Sequence, residues 1–139
     1  DYAPEIIPAD FLAIALIDTE PGQYILHSLR GAVGSAIPGH PFGLTEGLAG
    51  QAISTQTVQF SHDLTSDSVL NPEIEGTCLR FGIQSMLASP IIQGETKMGA
   101  ILCGSKKANA YEADEIELIQ LLGAGLAEAL ESARHYQLL

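Results

Sequence analysis

The side chains best equipped for covalent or proton chemistry are Cys78, Cys103 and four histidines, His27, His40, His62 and His135. Thiol–disulfide chemistry needs an attacking thiolate and a resolving thiol within reach. Cys78 and Cys103 form no C-x-x-C pair and no disulfide framework, so they read as two free thiols of a reducing compartment. The histidines are scattered, without metal-ligand spacing such as H-x-x-x-H, and read as surface or hydrogen-bonded residues. No G-x-S-x-G, H-E-x-x-H or Walker pattern occurs. The acid pair Asp114–Glu115 opens a helical stretch, where the positive end of the helix dipole accounts for it. No complete catalytic constellation is found, and the chain is expected not to be an enzyme.

Composition narrows the partners. A chain of 139 residues, 46% hydrophobic and 17% charged, suits one domain over residues 1–139 with a full core. Seventeen acids against six Lys and Arg leave a net charge of -11, which repels phosphate backbones and anionic lipid, so neither nucleic acid nor a membrane is an expected partner. The longest apolar run, Phe11–Ile17, is far shorter than the roughly 20 residues that span a bilayer. No basic stretch followed by an apolar one opens the sequence, so no signal peptide is expected and the reading is cytoplasmic.

The elements that must position these residues follow from periodicity. Pro4 and Pro8 make the lead extended or briefly helical. Phe11–Asp18 reads as a strand that is apolar on both faces and therefore central in its sheet. Glu20-Pro21-Gly22 is a turn, and Gln23–Arg30 a second strand that completes a hairpin. Residues 31–43 read as a Gly- and Pro-rich loop with room for a short strand. Thr45–Thr55 gathers Leu48, Ala49, Ala52 and Ile53 on one helical face, with Thr45 as N-cap and Gly47 and Gly50 allowing close packing on a sheet. Val58–Ser61 is a short strand, Asp63–Gly76 a polar loop and Ile74–Phe81 a short helix. Gln84–Gln93 and Lys97–Ser105 form a hairpin through Gly94-Glu95-Thr96. Residues 112–136 form one long amphipathic helix. The order predicts an α+β fold, with a central antiparallel sheet of five to six strands and helices on both faces.

Four segments carry a family resemblance. Glu46-Gly47-Leu48-Ala49-Gly50-Gln51-Ala52 resembles the G-x-x-G-x-(A/V) helix start of GAF domains. Gly82-Ile83-Gln84-Ser85-Met86-Leu87-Ala88-Ser89-Pro90-Ile91 resembles their G-I-x-S-x-L-x-x-P strand. Gly99-Ala100-Ile101-Leu102-Cys103-Gly104-Ser105 and Ala110–Ile119 are similar to the strand and helix entry that follow. The resemblance spans residues 11–135. It implies a PAS-like sheet with terminal helices on one face and a small-molecule pocket on the other, roofed by the loop and short helix. It also implies a sensory module that passes its state to a neighbouring histidine kinase, cyclase, phosphodiesterase or transcription factor in the same polypeptide.

With that layout and strand alternation, the candidate pocket residues are Phe60, His62, Leu79, Phe81, Met86, Ala88 and Cys103, with Arg80 as an anion anchor against the reading of a plain surface arginine. The cofactor is unknown. Cyclic-nucleotide-binding relatives carry N-K…F-x-x-x-D-E. Here Ser105-Lys106…Tyr111…Glu115-Ile116 keeps only part of it, and Lys106 with Glu115 reads as a structural ion pair. Neither cysteine is followed by the histidine that often accompanies bilin attachment, although Cys78 falls in the roof helix. Haem would need an imidazole aimed into the pocket, for which His62 is the candidate. GAF-fold methionine sulfoxide reductases hold a cysteine in the helix start where this chain has Ala49. Cys78 lies near another of their cysteines and is the candidate redox or attachment residue.

The last helix has two apolar stripes. Ile119, Leu122, Leu126, Ala129, Ala133 and Tyr136 fit a heptad seam, so a homodimer through this helix is expected, against the alternative of one broad face buried within the monomer. The function expected is a ligand-sensing or dimerising module. The alternatives are a thiol-dependent reductase and a ligand-free dimeric spacer.

Overall fold

The computed structural model describes residues 9–17, 22–65 and 71–138, with the side chains of the final helix described as far as residue 133. The lead around Pro4 and Pro8, most of the turn at 20–22, the centre of the 63–76 loop and the side chains of His135 and Tyr136 lie outside the described residues.

Among the described residues, six strands form one antiparallel sheet: β1 (Phe11–Ile17), β2 (Gln23–Arg30), β3 (Phe42–Gly43), β4 (Gln59–Ser61), β5 (Ser85–Gln93) and β6 (Thr96–Ser105). Their order across the sheet is β3-β2-β1-β6-β5-β4. β1 is central because both of its faces are covered: Phe11, Ala13 and Ala15 join one buried cluster, and Leu12 and Ile14 pack against the other. The registers Ile14↔Ile101 and Leu87↔Cys103 show which side chains share a face.

Short elements cover the first face. They are a 3-10 turn (Ala32–Ala36), helix α1 (Gly47–Thr55) and helix α2 (Glu75–Arg80). α1 lies across β5 and β6. Its Ala49 and Ala52 share a core with Ala88 of β5 and Ala100 of β6, and small side chains on both sides let helix and sheet approach closely. The N-cap of α1 is Glu46, not Thr45, and its side chain does not cap the helix. The Glu46 carboxylate instead accepts the Gly43 N–H at 2.8 Å, closing the turn after β3. Gly47 has φ +71. A Cβ there would also meet Glu75 Oε2 at 3.1 Å, so a side chain would meet both strain and crowding. A Cβ at Gly50 would lie 3.0 Å from the Leu44 carbonyl oxygen. The tight approaches of these two glycines are thus to the turn and roof as well as to the sheet.

α3 (Ala113–Leu138) covers the opposite face, lying mainly across β5. Glu115 Oε1 accepts the Glu112 N–H at 2.9 Å and fixes the helix entry. That bond replaces the expected pair with Lys106, whose backbone N–H donates to Asp10 Oδ2 at 2.8 Å. Ile119 and Ala127 are fully buried, and Ile116, Leu118, Leu126 and Leu130 pack around them. At Gly123 the helix rides close to the sheet, where a Cβ would stand 3.4 Å from the Pro90 carbonyl oxygen. A groove of about 210 Å³ runs beside this crossing, lined by residues 56–58, Ser89, Pro90, Ile92, Gln120, Gly123 and Ala124. Among the described residues no helix is long and apolar enough to cross a membrane.

Candidate functional site

The roofed face brings together side chains from every short element. β5 contributes Met86 and Ala88, β6 contributes Ala100 and Leu102, and β2 contributes Tyr24. Leu48 and Ile53 come from α1, Ile74 from the start of α2, and Cys78 from within it. The lead into α2 is set by Asn71, whose Oδ1 accepts the N–H groups of Glu73 (2.8 Å) and Ile74 (3.0 Å). This is an Asx-type turn made where Pro72 cannot donate. A small cavity of about 20 Å³, the size of one water, lies between β1, β2 and the 3-10 turn.

One acid lies inside this apolar layer. Glu75, the first residue of α2, is 1% exposed. Its Oε2 accepts the N–H of Leu48 at 3.3 Å, so it satisfies the N-terminus of α1 from 27 residues away. Among the described residues its Oε1 has no hydrogen-bond partner. Burial pushes the carboxyl up to about 7, the backbone N–H groups of Leu48, Asn71 and Glu75 opposing only part of that rise. Tyr24, also fully buried, donates its hydroxyl proton to the Glu46 carbonyl at 2.7 Å. Burial first, and the nearby Glu75 second, raise its pKa well above that of an ordinary phenol. The rim is closed by an exposed contact between His40 Nε2 and Glu73 Oε2 at 3.1 Å, with the His40 ring 4.8 Å from that of Phe42. The His40 pKa is raised, first by its contact with the Pro41 carbonyl and then by Glu73.

The sequence-derived candidates divide between the two faces. Met86, Ala88 and Cys78 lie in the roofed layer, and Leu79 packs against it. Cys103 does not: it pairs with Leu87, and both face α3. β6 is apolar on both sides, so alternation alone did not distinguish its faces. Phe60 is likewise out of phase. It pairs with Leu87, which faces α3, and is 46% exposed, whereas its neighbour Ser61 pairs with Met86 and is buried. His62 and Phe81 are exposed, and the His62 ring lies 4.8 Å from that of Phe60. Arg80 is exposed and donates from Nη2 to Thr77 Oγ1 at 2.9 Å.

The sequence alone does not single out Glu75 or Tyr24. Glu75 sits in a polar stretch, Pro72-Glu73-Ile74-Glu75-Gly76, where nothing separates a buried acid from a solvated one. The nearest signal is its place one residue after the apolar Ile74, at the start of a helix expected to roof a pocket.

The two thiols are separated by the sheet. Cys78 belongs to the roofed layer and Cys103 to the α3 layer. Burial pushes each thiol up to about 12, with Glu75 adding to the effect at Cys78. Neither is a ready thiolate nucleophile at neutral pH. Among the described residues, no three or more His, Cys, Asp or Glu side chains gather to hold a metal.

In the seam expected on α3, Ile119 is fully buried against the sheet and Leu126 is partly buried there, so the heptad reading mixed two faces of the helix. Leu122 (45% exposed), Ala129 and Ala133 do face outward, and Leu121 is 65% exposed.

Comparison with known proteins agrees with this architecture. The GAF domain of a two-component sensor histidine kinase from Bacillus halodurans superposes with a TM-score of 0.82 at 19% identity, over 99% of this chain and 91% of that one. The GAF domain of a phosphoenolpyruvate-protein phosphotransferase from Coxiella burnetii gives 0.79 at 19% identity, over 99% and 80%. A type II free methionine-R-sulfoxide reductase from Thermoplasma acidophilum gives 0.72 at 16% identity, over 91% and 83%. No curated protein matches the sequence. The GAF domain family model matches residues 1–131, and with a six-stranded sheet covered on one face by short roofing elements and on the other by a long helix, the chain belongs to the GAF domain family.

Proposed function

We propose that the chain is a small-molecule-sensing or dimerising GAF module of a signal-transduction protein. In this reading it is one domain whose roofed face holds the ligand and whose α3 passes the state of that face to an output domain in the same polypeptide. The observation that carries the reading is Glu75, a buried acid whose Oε1 has no hydrogen-bond partner among the described residues, set in a largely apolar layer. Folded proteins seldom keep such a group without a use, because an unmatched buried acid costs stability. The exposed side of α3 around Leu121 and Leu122 supports a helix that meets a second copy or a following segment. The test is native mass spectrometry of freshly purified protein with a visible absorption spectrum. A co-purifying mass or chromophore is the expected result. A clean dimer with neither would overturn ligand sensing in favour of the spacer reading.

The fold likeness to free methionine sulfoxide reductases and the presence of Cys78 under the roof favour a second reading, thiol-dependent reduction. Against it stand the raised pKa values of both thiols and their separation by the sheet. The expected result is no turnover of free methionine sulfoxide by the intact protein. Turnover that disappears in Cys78→Ala would establish the reductase instead.

A further inference from the structure

We propose that Glu75 is the anchor for an organic cation, a compact ammonium ion with N–H donors, bound where α2 meets the N-terminus of α1; this rests on the sensing role proposed above. Two independent observations meet at this point. The first is a nine-residue helix whose leading N–H groups would on their own favour an anion. The second is that this position is already taken by an internal carboxylate that is 1% exposed and has one oxygen unpartnered.

The surroundings decide the sign of the missing partner. Among the described residues, Oε2 of Glu75 is engaged by Leu48 N–H and Oε1 has no hydrogen-bond partner, so Oε1 is the atom left to bind, although the backbone N–H groups of Asn71 and Glu75 also favour the charged carboxylate. Tyr24, facing Glu75 from β2, directs its only proton to the Glu46 carbonyl. On α2 itself, Cys78 is held as a neutral thiol, and Thr77 Oγ1 accepts from Arg80 Nη2. The carboxylates on the flanking turns, Glu46 and Glu73, add negative potential, and the His40 imidazole is engaged with Glu73. An anionic ligand such as a cyclic nucleotide would meet repulsion from Glu75. An ammonium group would instead supply both the donor and the countercharge that a buried carboxylate needs. Glu75 is 1% exposed, so an ammonium ion can reach Oε1 only when the short roofing elements around it move.

The test compares n-butylammonium, n-butanol and n-butyrate, matched in length and differing in charge, against the intact protein and Glu75→Gln. The ammonium ion is expected to raise Tm by on the order of 4 °C at roughly tenfold excess over its Kd, with no rise from the alcohol or the carboxylate. Its Kd should weaken at least about tenfold in Glu75→Gln. Because burial raises the carboxyl to about 7, ammonium binding should release protons at pH 6 and fewer at pH 8. Titration calorimetry in two buffers of unlike ionisation enthalpy measures that release, and on the unmodified protein it decides the matter even if Glu75→Gln fails to fold. Equal effects from all three probes, unchanged ammonium affinity in Glu75→Gln, or binding without proton release would overturn the proposal. A neutral or anionic co-purifying molecule would overturn it while leaving the sensing role intact. Protein that carries no ligand and ignores all three probes would overturn both.

Discussion

Glu75→Gln is expected to be more stable than the parent protein at pH 8 by about 2 kcal/mol, which for a chain of this length raises Tm by about 5 °C. Proton linkage sets the sign. The carboxyl titrates at about 7 when folded and at an ordinary carboxylate value, 4.5, when unfolded. Between those two values the folded state binds more protons than the unfolded state, so stability falls as pH rises through the window. Above about pH 7 the whole cost is present, on the order of 3 kcal/mol relative to pH 4. Glutamine keeps an oxygen for the Leu48 N–H and carries no charge, so it removes that dependence. At pH 5 the two proteins should differ by little. His40, whose raised pKa makes it stabilising at low pH and less so above its folded value, is exposed, contributes little and is common to both proteins. Chemical denaturation across pH 4–9 reads the difference directly. Parallel curves for the two proteins would show that Glu75 is not a buried titrating group.

On the other face, Ile119→Ala should cost about 3 kcal/mol, because it deletes a fully buried side chain where α3 crosses the sheet. Leu122→Glu, three residues on, should leave monomer stability within about 0.5 kcal/mol, since Leu122 is 45% exposed. If α3 is the dimer contact, Leu122→Glu converts dimer to monomer in sedimentation or light scattering while Ile119→Ala does not. The contrast separates a core position from an interface position on one helix. A neutral Ile119→Ala would contradict the sheet packing. A Leu122→Glu variant with unchanged mass would remove the outward side of α3 from the dimer contact.

Much of the architecture was legible because the responsible signals are local. The two-faced apolarity of Phe11–Ile17 required a central strand, and that strand lies between β2 and β6. The Gly94 turn between β5 and β6 and the long helical stretch from Ala113 were likewise readable from periodicity. Assignment of faces was less legible, for two different reasons. Lys97–Ser105 is nearly uniformly apolar, so its sequence has no phase, and only pairing with β5 shows that Cys103 and Leu87 share a side. In β4 the pattern Val58-Gln59-Phe60-Ser61 does have a phase, but an edge strand can leave an aromatic residue half in solvent and bury a serine, as happens at Phe60 and Ser61. α3 carries leucine or isoleucine on several sides, and Gly123 lets it lie close to the sheet, a role a heptad count does not register. Glu75 was illegible for a stronger reason. Its burial arises from docking of α2 onto the start of α1, a contact across 27 residues between two short elements.

The placement of the two cysteines makes the sheet a partition between two native reporters. Cys78 is sealed beneath the short roofing elements and Cys103 beneath α3, so alkylation of either thiol waits for its own layer to open. The unmodified chain thus carries two separate clocks, one timing the motion of the roof and the other the detachment of the long helix. Their ratio distinguishes a disturbance confined to one face from one that has crossed the sheet.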